Sequence, residues 1–318
     1  MTKTKISNLL IGQYTDTTNI TGCTVLLFPE GATGVAYRLG GAISTRNFDP
    51  LTLEGNTHPI HGMLITGGSA FGLSATNGVV EYLKELGLGI KIDNITIPIV
   101  PSCVIFDLFI GEPKAPEAEN AYKAAKEAKK NIMSGSYGAG TGAVVGKLRG
   151  TAYGMKGGTG YVEETGVEGV TTGTIAIVNA FGDIIEDGRI IAGALNDQKN
   201  SFINTAKNME FGIIRDSGDI SIENTTIVVV ITEAKLTKRE ALRVAIMASG
   251  GMADAINPVW TPYDGDMVVV LSVGNKKIDP RIIGVRARKL VKKAIIKAIK
   301  TASGLGGILS YKELLIDV

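Results

Sequence analysis

The sequence predicts an α/β protein in which helices cover both faces of layered sheets. Three observations predict it. Short runs rich in β-branched residues recur along the chain, segments with helical spacing lie between them, and 41 glycines are interleaved with Val, Ile and Leu rather than with Ser and Gln. Glycines in that company mark tight turns and close backbone approaches, not a disordered tract.

Buried strands are expected at residues 23–28, 63–66, 174–179, 225–231 and 267–273, each too short and too β-branched for a helix. Between them, residues 69–86 carry Phe71, Leu73, Val79, Val80 and Leu83 at helical spacing, with Ser69 as cap. Residues 116–133 are rich in Ala and Lys and read as a second helix. Residues 235–256 open on a capping box, Thr237 with Glu240, ahead of an apolar face of Leu242, Ala245, Met247 and Ala248. In residues 286–302 the basic side chains alternate with Leu290, Val291, Ala294, Ile295 and Ile299, the pattern of a helix with one solvated face. Residues 201–222 are the most polar stretch of the second half and are expected to form a loop.

With 318 residues, 44% of them apolar and 20% charged, the chain suits a soluble globular protein of one large domain or two small ones. Basic and acidic residues number 33 and 31, giving a net charge of +2. That balance supplies no electrostatic reason for nucleic acid or an anionic membrane as partner. The N-terminus lacks the apolar run of a secretory signal, and no uninterrupted apolar stretch is long enough for a membrane span, so a cytoplasmic location is expected. Cys23 and Cys103 are too few for a disulfide framework or a four-cysteine zinc site.

Several motifs invite chemistry and fail on inspection. Gly67-Gly68-Ser69-Ala70-Phe71-Gly72 lacks the second glycine of a nucleophile elbow, because position 71 is Phe. His58 and His61, the only histidines, flank Pro59 without the further ligands that a metal site needs. The glycine-rich run from Gly138 to Lys147 has Thr141 where a phosphate loop needs Gly, and Leu148 where it needs Ser or Thr. Something other than nucleotide binding requires that backbone. No cofactor and no metal is expected. What remains is Asn224-Thr225-Thr226, opening one strand, and Asp264-Gly265-Asp266, opening another with two carboxylates that alternation places on one face. Spacing alone favours the ordinary reading of a strand start and a turn.

At these residues the sequence resembles the family of L-aminopeptidase/D-esterase, β-peptidyl aminopeptidases and nylon-oligomer hydrolase. The likeness runs over nearly the whole chain: Thr21–Val25, Gly40-Gly41, Thr45-Arg46, Thr66–Leu73, Pro98–Pro101, Phe106-Asp107-Leu108, Gly138–Gly142, Gly146-Lys147, Val178–Gly182 and Asn224-Thr225-Thr226. The resemblance implies a four-layer αββα sandwich of the N-terminal-nucleophile type, made as one inactive 1–318 precursor. It implies a cut between Asn224 and Thr225 into residues 1–224 and 225–318. With Asn-Thr-Thr and Asp-Gly-Asp the chain is similar to the threonine branch, so Thr225 is the expected nucleophile and Asp264 and Asp266 its expected partners. Asn179 is the expected oxyanion donor, and Lys147 is expected to hold the hydroxyl or the oxyanion. Only one of Thr225 and Thr226 can serve, because adjacent strand residues face opposite ways. The expected substrate is a small-molecule or peptide amide, and the expected assembly is a homotetramer of αβ units. Two rival expectations are an acyltransferase of the ornithine acetyltransferase type and an uncleaved, silent small-molecule binding protein.

Overall fold

A computed structural model describes residues 1–55, 59–213 and 224–314. Its framework strands are β1 (Leu10–Asp16), β2 (Thr21–Arg38), β3 (Ile60–Thr66), β4 (Ser102–Val104), β5 (Gly158–Thr165), β6 (Thr171–Asn179), β7 (Thr225–Ala234) and β8 (Met267–Lys276). The helices are α1 (Thr76–Glu85), α2 (Ala118–Lys126), α3 (Thr205–Glu210), α4 (Lys238–Ala253) and α5 (Pro280–Thr301).

β2 belongs to two sheets. Its first half pairs with β1 and β3, and β3 continues to β4. Its second half pairs with β8, from which the order runs to β7, β6 and β5. The register along β2 breaks between Leu27 and Ala32, where Gly31 takes a left-handed φ of 81° that a side chain would strain.

Alternation along the strands then builds three apolar layers. Ile175, Ile177, Ile227, Val229, Met267 and Val269 face Leu26, Phe28, Met63 and Ile65 between the sheets. Val178, Val228, Val230, Val268 and Val270 face Val244, Ala248, Val291 and Ile295 of α4 and α5. On the far side Val25 and Leu64 meet Val79, Leu83 and Ala121 of α1 and α2. Each of these Val, Leu, Ile, Phe and Met side chains, fully buried, contributes about 1.5–3 kcal/mol. The result is helix, sheet, sheet, helix: the expected four-layer sandwich. Among the described residues no helix is long and apolar enough to cross a membrane.

All five expected strands are present, and several extend beyond their expected ends. Four details differ. Residues 69–86 begin as a 3-10 turn, and Ser69 is no cap: its φ is 53°, and its backbone N–H donates to the Ile105 carbonyl. The second helix ends at Lys126, because Asn131 and Ile132 pair as a strand with Thr2 and Lys3. α5 starts six residues early, where Asp279 is the cap, its side chain accepting from the Arg281 N–H, and Pro280 takes the first helical position. Lys289 and Lys293 lie on the expected solvated face, both reaching Glu164, whereas half-buried Lys297 donates to the Tyr161 carbonyl. Finally, the expected loop at 201–222 contains α3, whose Asn204 side chain accepts from the Lys207 N–H; its remainder beyond Ile213 lies outside the described residues.

Candidate active site

β7 and β8 run parallel with Ile227 opposite Met267, an offset that sets the two strand starts side by side. Asn224 therefore bridges Asp264, and Thr225 lies level with Gly265. On its other side β7 is antiparallel to β6, with Thr225 opposite Asn179. Thr225 and Asn179 share the parity of Ile227 and Ile177, so both belong to the face between the sheets. Thr226 shares the parity of Val228, on the helix-covered face, where its hydroxyl is buried with no hydrogen-bond partner.

The Asn224–Thr225 peptide is buried, and its carbonyl oxygen receives two donors. The Gly265 N–H donates at 2.8 Å and the Thr225 hydroxyl at 2.5 Å. Gly265 has to lack a side chain here, since a Cβ would lie 2.6 Å from Thr225 Oγ1. The Gly40-Gly41 pair serves the same junction. A Cβ on Gly40 would meet the Asp264 carbonyl oxygen at 2.0 Å, and the Gly40 N–H donates to the Asp266 carbonyl.

The two carboxylates turn toward one backbone corner. Asp266 accepts from the Thr226 N–H at 2.5 Å and the Trp260 N–H at 3.1 Å, and Asp264 accepts from the Thr261 N–H at 2.7 Å. One oxygen of Asp264 and the amide oxygen of Asn224 are buried with no hydrogen-bond partner. Burial raises the proton affinity of both aspartates; at Asp266 the negative charge of Asp264 adds to the rise, and Lys147 opposes it at both. A folded state that binds these protons more tightly than the unfolded chain loses stability as pH climbs from the ordinary 3.8 through the raised value. In a Thr225→Ala chain, Asp266→Asn is therefore expected to flatten the fall of the unfolding temperature with rising pH; an unchanged slope would count against a desolvated Asp266.

Lys147 is buried and donates to the Asn179 backbone oxygen at 2.9 Å and its side-chain oxygen at 3.1 Å. The same side-chain oxygen accepts from the Val144 N–H, and Asn179 Nδ2 donates to the Phe106 carbonyl at 2.9 Å. Beside them lies a narrow crevice lined by Phe106, Phe109, Ile110, Val144, Lys147 and Asn179 among others.

The structure thus gathers Asn224, Thr225, Asp264 and Asp266 at two adjacent strand starts, and ties Lys147 to Asn179 directly across the ladder. Sequence reasoning did not single out the Gly265 N–H, the Trp260–Thr261 corner or the Phe106 carbonyl. Backbone groups carry no residue-type signal, although Gly265, held between two aspartates, was the hint available. Of the two histidines, His58 lies outside the described residues, and no group of three or more His, Cys, Asp or Glu that could hold a metal occurs among the described residues.

The layered sandwich is shared with solved structures over nearly the whole chain. It superposes on a beta-aminopeptidase from Burkholderia sp. with a TM-score of 0.73 at 16% identity, covering 98% of this chain and 91% of that one. It also superposes on the L-aminopeptidase D-Ala-esterase/amidase of Ochrobactrum anthropi, described as a new variant of the Ntn hydrolase fold, with a TM-score of 0.67 at 19% identity over 98% and 88% of the two chains. In sequence, residues 4–308 match the model of Peptidase family S58. Uncharacterized aminopeptidases of Mycobacterium tuberculosis and Mycobacterium bovis are 32% identical over 92% of this chain and 89% of theirs. The chain belongs to Peptidase family S58 and is a hydrolase of the peptide/amide class.

Proposed function

We propose that the protein matures by cutting its own Asn224–Thr225 bond and then hydrolyses small amides or peptides through an ester on Thr225. The observation that carries this reading is the doubly hydrogen-bonded Asn224 carbonyl, with a hydroxyl on one side and a backbone N–H on the other. Thr225 Oγ1 turns from the carbonyl oxygen to the carbonyl carbon and adds to it while its proton passes to a base. The C–N bond breaks, the former amide nitrogen takes a proton as the new α-amine, and Asn224 is left as an ester on Oγ1. Water then releases the Asn224 carboxylate and restores the hydroxyl. The Gly265 N–H supports the charge that develops on the carbonyl oxygen.

Buried aspartates with raised proton affinity suit the role of base better than solvated ones. The unpartnered oxygen of Asp264 is the natural acceptor for an ammonium born on Thr225. In turnover, the freed α-amine, with a reference pKa of about 7.7–8.0, activates Oγ1 against a substrate carbonyl. Asn179 offers a side-chain N–H to the oxyanion, a role worth about 3–4 kcal/mol in comparable enzymes. Lys147 holds Asn179 and adds positive charge beside it.

Denaturing electrophoresis with intact mass tests the reading: active protein should separate into residues 1–224 and 225–318. Active enzyme with an intact 224–225 bond would sink it, and an inactive, unsplit chain would favour a silent binding protein. Asp266→Asn is expected to slow turnover by about a hundredfold, within the range of general acid–base contributions. Unchanged kinetics in that variant would remove Asp266 from the site.

A further inference from the structure

The motifs Thr21-Gly22, Gly67-Gly68, Phe106-Asp107 and Gly138–Gly142 play no part in the chemistry above, yet they converge on two buried charges behind it. Asp107 accepts from the Gly68 N–H at 2.7 Å and the Thr21 hydroxyl at 2.8 Å. Its carboxylate fills space that two glycines leave open: a Cβ on Gly67 would lie 2.2 Å from Asp107 Oδ2, and one on Gly142 would lie 2.5 Å from Asp107 Cβ. Lys156 is fully buried and donates to the Thr141 carbonyl at 2.8 Å and the Ala143 carbonyl at 2.7 Å, on either side of that same Gly142. The two charges attract, and Lys147 repels Lys156.

Their immediate neighbours hold Asn179. Phe106, next to Asp107, takes the Asn179 amide N–H, and Val144, next to Ala143, donates to the Asn179 side-chain oxygen. Isolated buried ion pairs add little to stability, and apolar replacements of similar size often do as well. Geometry is the better reason for this pair.

We propose that Asp107 and Lys156 are positioning residues that clamp residues 141–144 from two sides and so fix Asn179 and Lys147 opposite Thr225. The proposal rests on the maturation reading only for its kinetic readout. The Asp107→Asn/Lys156→Met double variant removes both charges together, leaving no buried charge unpaired between them. In cell-free synthesis its self-cleavage should be at least tenfold slower than wild type. In the uncleavable Thr225→Ala background, its unfolding temperature should nonetheless exceed that of Lys156→Met alone. Cleavage rates that simply follow stability across the variants, or a double variant that cuts at the wild-type rate, would overturn it.

A second measurement needs no cut bond. In ¹⁵N-asparagine-labelled Thr225→Ala protein, adding Asp107→Asn should shift or broaden the Asn179 side-chain amide resonances. Unmoved resonances would also overturn the proposal. Wild-type protein that never cuts itself would instead refute maturation and leave this second test standing.

Discussion

Thr225→Ala is expected to give one unsplit chain of 318 residues with no measurable hydrolysis. The reasoning is chemical rather than structural. The substitution removes a hydroxyl whose only hydrogen bond among the described residues goes to the Asn224 carbonyl, and it leaves every backbone bond of β7 in place. Folding should survive, because the strand is held by Ile227, Val229 and their neighbours between the sheets. Thr225→Ser, which keeps the oxygen, should still cut. Intact mass separates the two variants directly. A Thr225→Ala chain that splits at 224–225 would mean that another group attacks the bond.

Gly265→Ala has the second-largest expected effect. The new Cβ would sit 2.6 Å from Thr225 Oγ1 and 3.2 Å from the Ala42 carbonyl oxygen, so the hydroxyl has to swing away or the Gly265 N–H has to leave the Asn224 carbonyl. Either response removes one of the two contacts on which the reaction is built. Loss of a single preorganised donor costs about 10²–10³ in rate in comparable enzymes, and cleavage should slow by that order. The unfolding temperature should fall by only a few degrees, the usual scale for a crowded methyl group. Time courses of cleavage alongside thermal melts distinguish a blocked reaction from a weakened fold; wild-type cleavage kinetics would take Gly265 out of the mechanism.

The sequence revealed more of the sandwich than of the site. Strands such as 225–231 and 267–273 announce themselves because they are buried on both faces, which demands unbroken β-branched runs. β1 and β5 were missed for the opposite reason. Gly12, Gln13 and Tyr14 interrupt the first, while Gly158, Gly160 and the half-buried Glu163 and Glu164 blur the second. The end of the second helix was misplaced because Ala and Lys favour helix wherever they occur, and pairing of residues 131–132 with the N-terminus is a long-range fact. For the site, Asn224, Thr225, Asp264 and Asp266 were legible only through family resemblance. Their meeting depends on a forty-residue register offset between parallel strands, which no local pattern encodes. Lys156 gave no signal at all, since a lysine within a glycine-rich stretch reads as solvated until its burial is seen.

The parallel pairing of β7 with β8 carries a consequence for what a cut would leave behind. The piece beginning at Thr225 would own two neighbouring strands at the heart of a sheet, with β6 of the other piece along one border and β2 along the other. Severing the backbone there would free nothing; the halves would stay interlaced through two ladders and a shared interior. Their reassembly after denaturation, however, would become a bimolecular event, slower on dilution. A protein that had once divided itself could not then recover as readily as the single strand from which it came.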